Sequence, residues 1–327
     1  KTAVGLAAKV GRAARISKGR LYTWADLFGQ GRMYFSVDID APDLEPRSTA
    51  SLRKVAAAGL PLSLAEPYGE NEPEEALYDV ALERKPIDGV ALRHMLRHSA
   101  AEPLKMASRS INWRFGLACV CIQGGLAATS DTYRMHTYPV DAPDCLIPAH
   151  PVLTLLKPTH IAIGEDILVL EQAEARLVFC MTGQRAFPDV VAVMRNCGQA
   201  EPVMHVHVKD CLAALRRLES VAEPLPISKA KICRLSPGYL AADNGAQIVK
   251  ETVGEVLRQE GEVSVKIPYL REALAGCPEK EAVLSWQAPY ERNRHAVSAI
   301  RVDSGAWLAL IMPLTPLGRM TEGLDTR

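Results

Sequence analysis

The sequence has no GxSxG elbow, no GxxxxGK[ST] loop, no GxGxxG following an apolar strand pattern and no HExxH pair. Hydrolases, nucleotide-binding folds and metalloproteases carry these motifs for mechanical reasons, so the commonest catalytic classes lack their marks here. Charge of one sign is not in excess either. Lys plus Arg and Asp plus Glu each number 38, for a formal net charge of zero, and any contact with nucleic acid must come from local clustering. Eight cysteines, at 119, 121, 145, 180, 197, 211, 233 and 277, form no CxxC pair and sit mostly in apolar runs. That usage fits free thiols in a reducing compartment, which points to the cytoplasm. No apolar run in the chain approaches the ~18 residues a membrane span needs. Aromatic residues make up only 6% and few lie between cations, so stacking on single-stranded bases is not indicated.

What the 327 residues do contain is a repeated grammar of strand, tight turn, strand and short amphipathic helix. The length predicts two or three domains. The first stretch, KTAVGLAAKVGRAARIS, reads as an amphipathic helix with Val4, Leu6 and Val10 inward, in preference to a transit peptide. Residues 20–22 and 33–39 predict a hairpin, and residues 48–58 a helix ended by Gly59. Residues 66–75 (EPYGENEPEE) have the Pro, Gly and acid content of a linker. A strand is expected at 77–83, then an N-cap at Asp88 and a helix over 90–99. Strands are expected at 116–122, 161–163, 167–171 and 175–181, with a helix at 148–156. Beyond a Pro-containing connector, RAFPD, the pattern continues with a strand at 204–208, a helix at 209–221, strands at 231–235, 239–242, 248–256 and 262–267, a helix at 268–275, and strands at 283–287, 297–302 and 307–312. Five times, after Pro46, Glu83, Pro148, Val208 and Ile267, the chain leads into a short helix spelled roughly x-L-x-x-L. A period above about 50 residues argues for tandem α+β domains and against a solenoid.

Few residues suggest chemistry. His205 and His207 alternate on one strand face and form a conceivable metal pair, with a solvated face as the plainer alternative. Cys119 and Cys121 share a face of a wholly apolar run and read as packed thiols. The helices collect cations: Lys9 and Arg12; Arg53 and Lys54; Arg93 and Arg97; Lys209, Arg216 and Arg217; and Arg271. These are either ordinary outer faces of amphipathic helices or a sequence-independent positive lining for a phosphate backbone.

One stretch gathers these features. Residues 126–135 (LAATSDTYRM) are followed in order by CLIPAHPVLTLLK, ARLVFCMTGQRAFPDVVAVM and the closing WLALIMPL. This ordered set, spanning about residues 77 to 314, resembles the bacterial DNA polymerase III beta subunit, the sliding clamp, as a shortened or divergent member. The resemblance implies tandem clamp domains at 1–71 (a shortened one), 72–195 and 196–317, with a tail at 318–327. It implies antiparallel sheets outside, short helices on an inner face, a head-to-tail ring, most simply a homodimer, and duplex DNA threaded through it. It implies no catalysis, no cofactor and no metal, no membrane, and a place in the cytoplasm with the nucleoid. Polymerase, repair and clamp-loader type partners would dock through short linear motifs. A clamp-like module that binds such peptides without encircling DNA is the second reading. Carried over by motif, the peptide pocket comprises Thr132, Tyr133, Arg134 and Met135, Pro188 and Val193, and Met312, Pro313 and Leu314, with Ile227 and Tyr269 matching more loosely. The cations named above become DNA-facing candidates. Three departures stand out. Thr132 replaces the Gly of the family's turn and predicts a differently shaped turn. Tyr133 replaces a His. Ala192 stands where clamps often carry Arg, which removes a cationic group from the pocket rim. Residues 24–28 (WADLF) resemble the peptides that clamps bind, though a plain strand is the simpler reading.

Overall fold

A computed structural model describes residues 14–17, 20–26, 31–38, 82–100, 114–149, 153, 157–172, 175–181, 187–197, 200–225, 229–287 and 299–314. The chain divides into two compact units: residues 1–97, 101–127 and 140–187 in one, and residues 98–100, 128–139 and 188–327 in the other. Both are α+β and built on antiparallel sheets, as the sequence leads one to expect.

In the first unit, the strands run in the spatial order Ala14–Ser17, Arg20–Asp26, Gly31–Asp38, Ala175–Met181, Ile167–Gln172, His160–Ile163 and Arg84–Pro86. Every pairing is antiparallel. The strand Ile167–Gln172 shows why this sheet holds. Val169 lies opposite Val178 and Ala162, and these three form a buried cluster on one face. Leu168 and Leu170 point to the other face, where Leu177, Phe179, Ile161 and Met33 are also buried. Burial on both sides is why the strand is spelled ILVL without polar alternation. The helix Gly89–Arg97 buries Ala91, Leu92, Met95 and Leu96, the spacing of an amphipathic helix. Asp88 caps it, its Oδ1 accepting from the Val90 and Ala91 amides at 2.9 and 3.0 Å. Gly124 and Gly125, at φ 58° and 77°, make the tight turn that side chains would resist.

Three expectations need correction here. Residues 14–17, placed by the sequence in a first helix, form a strand, because Arg15 and Ile16 pair with Tyr22 and Leu21. Non-local pairing outweighs weak helical periodicity. The strand expected at 77–83 is instead Arg84–Pro86, while residues 77–81 lie outside the described residues. The strand expected from 116 begins at Cys119, because Arg114–Leu117 is helical. The helices expected at 48–58 and 148–156, the N-terminal helix before residue 14, the linker and the tail lie outside the described residues or nearly so.

The second unit has two sheets. One runs Glu255–Val256, Pro202–His207, Glu281–Ser285, Ile300–Ser304, Trp307–Ile311 and Arg134–Pro139; the other runs Ile248–Thr252, Tyr239–Asp243, Ile232–Ser236 and Val263–Lys266. The strand-to-helix repeat is visible twice in this unit. Pro202–His207 leads directly into the helix Val208–Val221, and Val263–Lys266 into Ile267–Ala275. The longer helix buries Val208, Cys211, Ala214, Leu215 and Leu218; the shorter buries Ile267, Leu270, Ala273 and Leu274. Gly276 ends the shorter helix, and a Cβ there would lie 2.2 Å from the buried Trp307 ring. The Trp307 Nε1–H donates to the Ala273 carbonyl at 2.9 Å. Glycine therefore lets the helix seat on the strand Trp307–Ile311, which forms part of the site below.

Candidate functional site

The site begins with a turn. Ser130 ends the strand Leu126–Ser130, Arg134 opens Arg134–Pro139, and three residues join them. The Asp131 Oδ1 accepts from the Tyr133 and Arg134 amides, both at 3.0 Å. The Ser130 Oγ donates to the Arg134 carbonyl at 2.9 Å and accepts from the Thr132 amide at 3.2 Å. Thr132 sits at φ 73°, so the turn keeps the left-handed conformation that a β-branched residue was expected to refuse. The local carboxylate and hydroxyl bonds hold it there against a strain of about 1–2 kcal/mol.

Arg134 then locks the turn to the helix Ile267–Ala275. Its Nε donates to the Asp131 Oδ2 at 3.0 Å, an Nη donates to the Glu272 Oε2 at 2.5 Å, and the guanidinium lies 4.4 Å above the Tyr269 ring centre. With its side chain 11% exposed, Arg134 is a satisfied structural cation.

Beside this turn is a cleft of about 210 Å³ lined by Ser130, Thr132, Tyr133, Arg134, Met135, Pro188, Val193, Ala299, Leu310 and Met312. All of these belong to the second unit. The strand Trp307–Ile311 supplies Leu310, paired with Met135, and the Met312 amide donates to the Tyr133 carbonyl at 2.8 Å. Val193 is placed by the helix Val190–Cys197, which the sequence reading treated only as a connector. Asp189 caps that helix, its Oδ1 accepting from the Ala192 amide at 2.9 Å. Tyr133 and Met312 remain exposed, so the cleft offers an apolar recess with two large, accessible side chains beside it.

Seven of the residues carried over by motif therefore come together: Thr132, Tyr133, Arg134, Met135, Pro188, Val193 and Met312. Tyr269 does not line the cleft but lies beneath Arg134. Leu314 turns aside to bridge Ser264, its amide donating to the Ser264 carbonyl at 2.8 Å, and Pro313 is likewise outside the lining. Ile227 lies outside the described residues. The sequence reading missed Ser130, Ala299 and Leu310. Pairing WLALI against RMHTYP would have found Leu310, whereas nothing around Ala299 marks it.

The cation candidates have different fates. Arg217 is held by Glu251 through two contacts of 2.8 Å, and Arg271 is paired with Glu219. Lys209 and Arg216 are exposed on the helix Val208–Val221, Arg97 is exposed on Gly89–Arg97, and Arg93 there is half-buried. Lys9, Arg12, Arg53 and Lys54 lie outside the described residues. His205 faces Glu281 at 3.4 Å and His207 faces Asp210 at 3.3 Å. Among the described residues no group of three or more His, Cys, Asp or Glu is placed to hold a metal ion. Cys119 and Cys121 are buried, and burial pushes the Cys121 thiol up to about 11.

No protein-family model matches the sequence, and no curated protein matches it at the sequence level. Solved structures do match. The DNA polymerase sliding clamp of Pseudomonas aeruginosa superposes with a TM-score of 0.65 at 15% identity, covering 95% of this chain and 96% of that one. The chain has the sliding-clamp fold. The Bacillus subtilis sliding clamp gives a TM-score of 0.64 at 14% identity, over 96% of this chain and 93% of that one. The Helicobacter pylori beta clamp, solved bound to a DNA ligase peptide, gives 0.62 at 12% identity, over 92% and 90%. Within that fold, the cleft beside Thr132 is an apolar recess on the second unit.

Proposed function

We propose that this protein is a DNA sliding clamp, a processivity factor that encircles duplex DNA without sequence preference and tethers polymerase or repair partners by their peptides. The observation that carries the reading is the assembly of Thr132–Met135, Pro188, Val193 and Met312 around one cleft in a chain of sliding-clamp fold. The sequence separates these residues by up to 180 positions, yet folding makes them neighbours. A tether of this kind needs no catalytic step and no cofactor. The physics asks only for a loose electrostatic lining, since closure and not contact affinity keeps a ring on DNA. The tandem division at residues 71, 195 and 317, a head-to-tail homodimer, clamp-loader type partners and action at the nucleoid in the cytoplasm belong to the same reading.

A second reading has an observation of its own. Arg217 and Arg271 are committed to Glu251 and Glu219, which leaves less free positive charge on those helices than the sequence suggested. A clamp-like module that binds partner peptides without encircling DNA would need none.

Both readings require the cleft to bind peptide. An amidated, fluorescein-labelled WADLF peptide, the spelling of residues 24–28, is expected to bind the full chain in an anisotropy titration. Met312→Ala should weaken it about tenfold, the loss typical of truncating an anchor contact. Equal affinity in the variant would place the peptide elsewhere, and no binding by the parent chain would overturn the cleft as a peptide site.

A further inference from the structure

Lys266 is the last residue of the strand Val263–Lys266 and precedes the helix Ile267–Ala275. Its Nζ lies 5.0 Å from the centre of the Tyr133 ring and 4.9 Å from that of Tyr269. Tyr133 lines the cleft and is 56% exposed. The ammonium is thus held at the cleft's edge between two aromatic faces. The neighbouring guanidinium of Arg134 has two carboxylate partners, Asp131 and Glu272. Among the described residues no ion pair involves Lys266.

We infer that Lys266 is a specificity determinant of the cleft, reading a carboxylate that a partner peptide presents beside its apolar anchor. The inference rests on the peptide-binding reading of the cleft and adds the charge of the ligand to it. The two rings hold the side chain by cation–π attraction while leaving its N–H donors unspent. A lysine already ordered in this way loses less rotamer freedom when a carboxylate arrives. The rings also shed part of its water, so the new pair forms in a medium less polar than bulk solvent. Arg134 is less suited to this role, because its Nε and one Nη already bond Asp131 and Glu272 and its side chain is only 11% exposed. Lys266, in contrast, lies over the ring of the exposed Tyr133.

Three peptides separate the sources of the charge: amidated WADLF, amidated WANLF, and WANLF with a free C-terminal carboxylate. The full chain is expected to prefer at least one carboxylate-bearing peptide over amidated WANLF by about fivefold, the scale of a partly exposed pair. That preference should shrink at high salt. An advantage confined to WADLF assigns the contact to an internal acid, and one confined to the free acid assigns it to the chain end. Lys266→Met, which keeps the aliphatic stem over the rings, should erase the preference while retaining binding of amidated WANLF, and Lys266→Arg should keep it. Equal binding of all three peptides overturns the inference and leaves the cleft reading standing. Failure of every peptide to bind overturns both. If Lys266→Met does not fold, the salt dependence in the parent chain decides, and a salt-independent preference counts against Lys266.

Discussion

Replacing Arg134 by alanine is expected to lower the free energy of unfolding by about 3 kcal/mol, a large fraction of a domain's margin. The side chain is 11% exposed, and its partner Asp131 is 14% exposed. Truncation leaves that largely desolvated carboxylate with the Tyr133 and Arg134 amides as its donors among the described residues. It also cuts the link to Glu272 and removes the cation from the Tyr269 face. Breaking a buried pair at one end costs more than the pair contributed, because the remaining charge stays in low dielectric. The second consequence is functional, since Arg134 lines the cleft and sets the turn carrying Thr132 and Tyr133. Denaturant unfolding measures the first effect. A loss below about 1 kcal/mol would mean that the ion pair behaves as an ordinary surface pair.

The next largest effect concerns pH. His136 is fully buried on the strand Arg134–Pro139, its ring 5.1 Å from that of Trp307. Its Nδ1 lies 2.7 Å from the His98 carbonyl oxygen, so that nitrogen carries the proton and donates, while Nε2 has no hydrogen-bond partner among the described residues. Burial is the main force lowering its pKa from 6.5 to about 4; the positive charge of Arg134 adds to it, and the His98 carbonyl opposes it. The folded protein therefore holds this proton less well than the unfolded chain. Its contribution is intact above pH 6.5 and is lost as pH falls from 6.5 toward about 4, amounting to about 3 kcal/mol at about 1.4 kcal/mol per tenfold in proton affinity. His136→Asn, which retains a donor toward the His98 carbonyl, should start less stable but lose less on acidification. Parallel stability-against-pH curves for the two proteins would contradict this. The neighbours of His136 on the strand tie this titration to the cleft, for Met135 and Arg134 both line it.

Much of the second unit could be read from the chain. The helix Val208–Val221 announces itself by apolar residues at helical spacing, and Ile267–Ala275 by Pro268 in its first turn. In each case the local signal and the burial point the same way. The N-terminal strand Ala14–Ser17 was hidden because small residues and cations satisfy a helical pattern as readily as a strand, and only its pairing partner decides. The helix Val190–Cys197 was hidden by the preceding proline, whose punctuation masked the cap at Asp189. In the site, seven residues named by the motif order line one cleft, while the geometry gives others different surroundings. Arg134, named by the motif as part of the pocket, is also bonded to Asp131 and Glu272. Lys266, which looks like an ordinary strand end, stands beside the exposed Tyr133. Burial and pairing at distances of more than 100 residues, as between Arg134 and Glu272, leave no mark in a local pattern. Thr132 marks the limit of rules based on residue type. Its branched side chain argues against φ 73°, and the Asp131 and Ser130 bonds outweigh that preference.

Encirclement is the claim that most needs a direct measurement. The protein, loaded onto nicked circular duplex and separated from free protein by gel filtration, is expected to stay with the DNA in high salt. Linearising the same DNA with a single cut should then release it, because a ring held by topology slides off an end whereas a phosphate contact does not depend on one. Equal retention on circular and linear DNA, or release from both by salt alone, would contradict the sliding-clamp account and leave the cleft as a peptide-binding site on a protein that does not enclose DNA.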